Sequence, residues 1–242
     1  MTYLRVIRVS FLAVLVLIVA GGMPFAIAQS GDFLVSQNGH DVGTASFQFT
    51  GNADGYESTS VVKVSMQGLD YALSKTEELD ASNRVRHVIL SGTVNGTAVN
   101  LVGKPDGANF LLNTSANGRS STSRLELHPA SVFLPDFDPG GLETLLALAV
   151  QQGNRDLWAI IPKQAGSVDA VQLATYPDEQ GTLDGRAIAV HHMVATIGQD
   201  QTELFSGPEN QLLQAELEGP GFALVRKGFV LTPPKKPLAP TD

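Results

Sequence analysis

Two Asn-Gly dipeptides constrain this chain more than any other feature. Asn38-Gly39 separates Phe33-Leu34-Val35-Ser36 from a second short run, and Asn95-Gly96 separates Val88-Ile89-Leu90 from residues 97–102. Asn and Gly tolerate the positive φ that both central positions of a type I′ turn require, and that turn matches the twist of paired strands. Each dipeptide therefore makes its flanking segments an antiparallel hairpin. Further turn residues cluster at 51–55, 67–68, 80–83, 104–107 and 116–118. Their spacing of roughly 8–15 residues is that of an all-β meander.

Alternation supports the same reading. Ala45, Phe47 and Phe49 fall on one side of a strand, with Thr44, Ser46, Gln48 and Thr50 on the other, so one face of the sheet meets water. Tyr56, Val62, Val64 and Met66 repeat the pattern, and so do Tyr71, Leu73 and Leu79. In the last of these Lys75 and Glu77 interrupt the apolar line, which reads as a strand end leaving the core. After residue 153 strands are expected at 157–161, 168–176, 186–197, 202–205, 212–217 and 222–231, with a turn at 177–181.

One segment departs from period two. Leu142, Leu145, Leu146 and Ala149 recur at helical spacing, with Leu148 and Val150 widening the apolar surface. Asp138 is a good N-cap, Pro139 a good first helical residue and Gly153 a good stop, and Glu143 is placed in the dipole-favoured first turn. The fold expected is mainly β: a strongly curved antiparallel sheet, a half-barrel, with one core helix at residues 139–152.

The N-terminus carries Arg5 and Arg8, an apolar run from Phe11 to Ala20, and small residues at Ala26 and Ala28. This is the pattern of a secretory signal peptide at residues 1–28, cut between Ala28 and Gln29; its core of about ten residues falls short of the ~20 that span a bilayer. The expected location is the periplasm or the extracellular space, with no permanent membrane span after cleavage. Residues 29–231 then form a single antiparallel β domain, and 232–242, with prolines at 233, 234, 237 and 240, a disordered tail. The mature chain holds 14 basic and 24 acidic residues, a net charge of −10, which disfavours nucleic acid and other polyanions. The absence of cysteine excludes disulfides, thiolate metal sites and a lipobox anchor.

The opening Phe33-Leu34-Val35-Ser36-Gln37-Asn38-Gly39 with Gly43-Thr44-Ala45-Ser46-Phe47, and the closing Glu203-Leu204-Phe205, residues 210–217 and Phe222-Ala223-Leu224-Val225-Arg226, resemble uncharacterised bacterial periplasmic β-sheet proteins. Those share the architecture of the lipoprotein carrier and its outer-membrane receptor. The resemblance covers about a third of the mature chain. It implies an open, curved sheet with a helix near its concave face, where the carrier holds acyl chains. It transfers no individual lipid-contacting residue.

Chemical motifs are sparse. His191-His192 lies on a strand, where neighbours face opposite ways and cannot chelate one metal; one is expected partly buried and the other exposed. His40, His87 and His128 show no ligand spacing. Asp136 and Asp138 could offer two carboxylates to calcium, although capping accounts for Asp138, and Glu77-Glu78 reads as solvated charge. No nucleophile elbow, zinc motif or phosphate loop occurs. The chain thus reads as a non-enzymatic envelope protein without cofactor or metal. Its expected partner is a lipid, another apolar small molecule or an envelope protein, held in the concavity of the sheet. Leu142, Leu145, Leu146 and Trp158 are the expected ligand-lining residues. A scaffold with a filled core and a hydrolase with dispersed catalytic residues stay open as alternatives.

Overall fold

A computed structural model describes residues 29–52, 54–163, 165–217 and 219–233. The expected leader, residues 1–28, and the expected tail from residue 234 on lie outside the described residues, which begin at Gln29; Thr232, expected in the tail, belongs to β17. The first half is a run of long strands: β1 Ser30–Gln37, β2 His40–Asn52, β3 Gly55–Met66, β4 Leu69–Asp80, β5 Val85–Val94, β6 Thr97–Asp106, β7 Asn109–Ala116, β8 Arg119–Glu126 and the short β9 Ala130–Phe133. Helix α1, Pro139–Gln152, follows. The second half comprises β10 Leu157–Ile161, β11 Ser167–Thr175, β12 Glu179–Leu183, β13 Arg186–Ile197, β14 Asp200–Ser206, β15 Leu212–Leu217, β16 Phe222–Arg226 and β17 Phe229–Thr232.

Asn38 and Gly39 have φ of 50° and 79°, and Asn95 and Gly96 of 49° and 75°, the two left-handed positions a type I′ turn needs. From β1 to β8 each strand pairs antiparallel with the next. The ladder continues from β1 the other way, through β16, β15, β14, β13, β11 and β10 to β9. All neighbours are antiparallel except β9 and β10, which run parallel, so the sheet is mixed at one edge. Parallel neighbours need a long crossover, and residues 134–156 with α1 at their centre supply it. The sheet is not closed into a barrel: among the described residues β8 is in register with β7 alone and β9 with β10 alone.

The helix contacts β9 and β10, but also β15, β2 and β3. On a flat sheet β10 and β3 would lie eight strand spacings apart, ~38 Å, whereas a helix with its side chains is only ~10–12 Å across. The sheet must therefore curl around α1. Leu145, Leu146 and Leu148 are fully buried there, while Val150, expected to extend the buried surface, is 61% exposed. Gly140 sits directly over the inward-facing Ser58 and Ser60 of β3, where a Cβ would collide with Ser60 Oγ. Small residues on both sides bring the start of the helix against the sheet.

Two sequence expectations change in the second half. Residues 179–181, expected as part of a turn, belong to a strand not foreseen, β12, and the single strand expected at 222–231 is broken at Lys227-Gly228 into β16 and β17. β12 pairs with the first part of β13 and with β17. Val190, Phe205, Leu213 and Phe229 form a small second core there. Their chain neighbours Leu204 and Leu212 belong to the main core, and alternation along a strand puts the second core on the opposite face of the sheet. No helix among the described residues is long and apolar enough to cross a membrane.

Candidate functional site

Three charged side chains meet beneath the start of α1. Tyr71, Leu73, Lys75, Glu77 and Leu79 all point inward from β4. Lys75 Nζ lies 2.8 Å from Glu77 Oε2 and 2.6 Å from Asp138 Oδ2, and each of the three residues is at most 2% exposed. This corrects two expectations. Lys75 and Glu77 do not mark a strand leaving the core, and Glu77 is not solvated charge, because opposite charges two residues apart on one strand face satisfy each other inside. Asp138 also accepts the backbone N–H of Gly140 through Oδ1 at 3.1 Å, so the expected N-cap ties the helix to the sheet as well.

Burial by itself would lower the pKa of Lys75, but the Asp138 and Glu77 carboxylates outweigh it and hold the ammonium above its ordinary range. Burial raises the pKa of Glu77, with Lys75 only partly opposing. One cation serves two acids here, and Glu77 Oε1 has no hydrogen-bond partner among the described residues. The cluster fixes a geometry, and of its three residues only Asp138, already engaged by Lys75 and Gly140, borders the neighbouring cleft.

Glu143 lies one residue beyond the first turn, not within it, and is buried. Its carboxylate accepts the backbone N–H of Leu212 at 2.9 Å and the side-chain amide of Gln29 at 3.2 Å. Burial pushes its pKa up to about 7, with the Leu212 hydrogen bond and the Arg226 charge partly opposing. A carboxyl with a raised folded-state pKa favours folding while protonated, so its contribution is present below the unfolded value of ~4.3 and is lost as pH rises towards 7. We expect stability to fall across that window by about 4 kcal/mol at most, and the Glu143→Gln variant to flatten the fall. Urea unfolding at pH 5 and pH 8 measures both.

The same segment borders a cleft. Residues 134–138 connect β9 to α1, and Phe137 within them adopts φ 57°, unfavourable by ~1–2 kcal/mol for a bulky side chain. Its ring makes edge contacts with Tyr71 at 5.9 Å and Phe222 at 4.8 Å. Tyr71 donates its hydroxyl to the carbonyl of Asp136 at 3.3 Å. Phe137 lines two hollows, of about 490 Å³ towards Tyr71 and Phe222, and about 420 Å³ towards Leu142, Ile161 and Leu224. Both also share Asp136, Lys163, Asp200 and Leu217, so they are compartments of one cleft at the mouth of the curved sheet. Lys163 Nζ is 2.8 Å from Asp136 Oδ1 at its rim.

Of the expected ligand-lining residues, Leu142 is on the cleft wall. Leu145 and Leu146 lie deeper, in the close-packed core. Trp158 points away from the core-facing Leu157 and Ala159, and its ring stacks on His128 at 3.6 Å. The other apolar walls, Phe137, Ile161, Ile197, Leu217 and Leu224, come from four strands and a loop, and no local spacing announces them. Asp136 and Asp138 turn to different lysines and form no calcium pair. His191 lies 2.9 Å from Asp178, whereas His192 is sandwiched between the rings of Tyr176 and Phe205, each on its own side as alternation requires. Among the described residues no three His, Cys, Asp or Glu are arranged to hold a metal. Comparison with known proteins finds no matching family model, curated protein or solved structure.

Proposed function

We propose that the chain is an exported, non-enzymatic binding protein that holds the hydrocarbon part of a lipid or other acyl ligand in the cleft at the mouth of its sheet. The observation that carries this reading is the cleft itself: two compartments of about 420 and 490 Å³, walled by leucine, isoleucine and phenylalanine from both halves of the chain. Ligand sites typically measure ~300–1,000 Å³, with apolar walls and a few polar groups at the edge. The leader pattern at residues 1–28 supports export. The resemblance of residues 33–47 and 203–226 to periplasmic β-sheet proteins with the architecture of the lipoprotein carrier supports the same use of the concave side, as an analogy. A structural envelope protein is the second reading, favoured by the dense packing of Leu145, Leu146 and Leu148 around the helix.

Native mass spectrometry of protein purified gently from a bacterial envelope distinguishes the two. The binding reading predicts a mass increment that dissociates as lipid on collisional activation. A clean apo mass in repeated preparations supports the scaffold instead.

A further inference from the structure

The rim of the cleft carries an unbalanced charge that bears on which ligand enters, and the inference rests on the cleft binding hydrocarbon at all. Among the described residues Lys163 is the one cation on the wall, and Asp136 already pairs with it at 2.8 Å. Asp169 and Asp200 border the same compartment and are paired with no cation among the described residues. They share one face at one end of the sheet: Val171 pairs with Ile197 and Ile197 with Asp200, Asp169 stands two residues before Val171, and a Cβ on Gly198 would lie 3.8 Å from Asp169 Oδ1. Asp169 otherwise accepts only the hydroxyl of Ser167, at 2.8 Å.

An amphiphile whose tail fills the hollow must leave its polar end near these carboxylates. A carboxylate or phosphate there meets two like charges that have no cationic partner among the described residues, while an ammonium meets two counter-charges; because Asp200 is exposed and Asp169 half-buried, the preference is largest at low ionic strength. We infer that the cleft selects acyl amphiphiles with a cationic, ammonium-bearing head over anionic ones of the same chain length. The cleft supplies the binding; the two carboxylates supply the discrimination.

The test titrates the full chain with dodecylammonium, dodecanol and dodecanoate, each below its micellar concentration, with butylammonium as a control for charge without a tail. At low ionic strength dodecylammonium is expected to bind at least tenfold tighter than dodecanoate, with dodecanol between them and butylammonium not binding. The Asp169→Asn/Asp200→Asn variant is expected to bring the ratio to about threefold or less while still binding dodecanol. Equal affinities, tighter dodecanoate, or a preference that survives the double variant overturns the inference and leaves hydrocarbon binding standing. Failure of dodecanol and dodecylammonium alike overturns the binding function itself.

Discussion

Replacing Lys75 with methionine is expected to destabilise the protein by about 3–5 kcal/mol, the usual effect of removing one partner from a buried ion pair. Methionine keeps the length of the side chain and removes the charge, leaving Glu77 and Asp138 without the ammonium that lies 2.8 and 2.6 Å from them. For a domain of this size, ~2–4 °C per kcal/mol gives a fall in Tm on the order of 10 °C. Because Glu77 can escape by taking up a proton, the deficit should be smaller at pH 5 than at pH 8. The triple variant Lys75→Met/Glu77→Leu/Asp138→Asn separates burial of charge from loss of packing. Asparagine still caps the helix, and apolar groups replace the rest, so most of the lost stability should return. Guanidinium unfolding of the two variants decides the matter, and a loss below about 1 kcal/mol for Lys75→Met would show that the cluster does not hold helix to sheet.

The second large effect concerns binding. Leu217 lines both compartments and is only partly buried, so an indole in its place projects into open space and does not overpack the core. Leu217→Trp should weaken dodecanol binding at least tenfold while leaving Tm within a few degrees. Within the wild type, affinity should rise about fourfold for each added methylene until the cleft is full, since each buried CH₂ is worth ~0.8 kcal/mol. Undiminished binding by a stably folded Leu217→Trp protein would place the hydrocarbon elsewhere.

What could be read from the chain follows the range of the interactions. The Asn-Gly hairpins and the helix from Pro139 to Gln152 are written locally, in turn chemistry, capping and period, and they appear as expected. The parallel pairing of β9 and β10 was not legible, because Ala130-Ser131-Val132-Phe133 is buried at every position and such a run carries no directional signal. Lys75 and Glu77 misled for a different reason: a charge on an apolar stripe reads as exposure unless its partner is recognised, and one partner, Asp138, is distant in sequence. The cue was present, since opposite charges at i and i+2 share a strand face. The cleft is the least local feature. Phe137, Ile161, Ile197, Leu217 and Leu224 gather only because the sheet wraps around one helix, and Trp158, an attractive lining residue by composition, lies on the other face by simple alternation.

The most direct measurement is photolabelling of the wild type and the Leu217→Trp variant with an acyl chain bearing a terminal diazirine, followed by peptide mapping. The account predicts adducts concentrated on residues 134–142 and on the ends of β10, β13 and β16 in the wild type, and their loss in the variant. Adducts on the exposed apolar residues of the outer surface, such as Ile89 or Val230, or labelling that the tryptophan leaves unchanged, would contradict it.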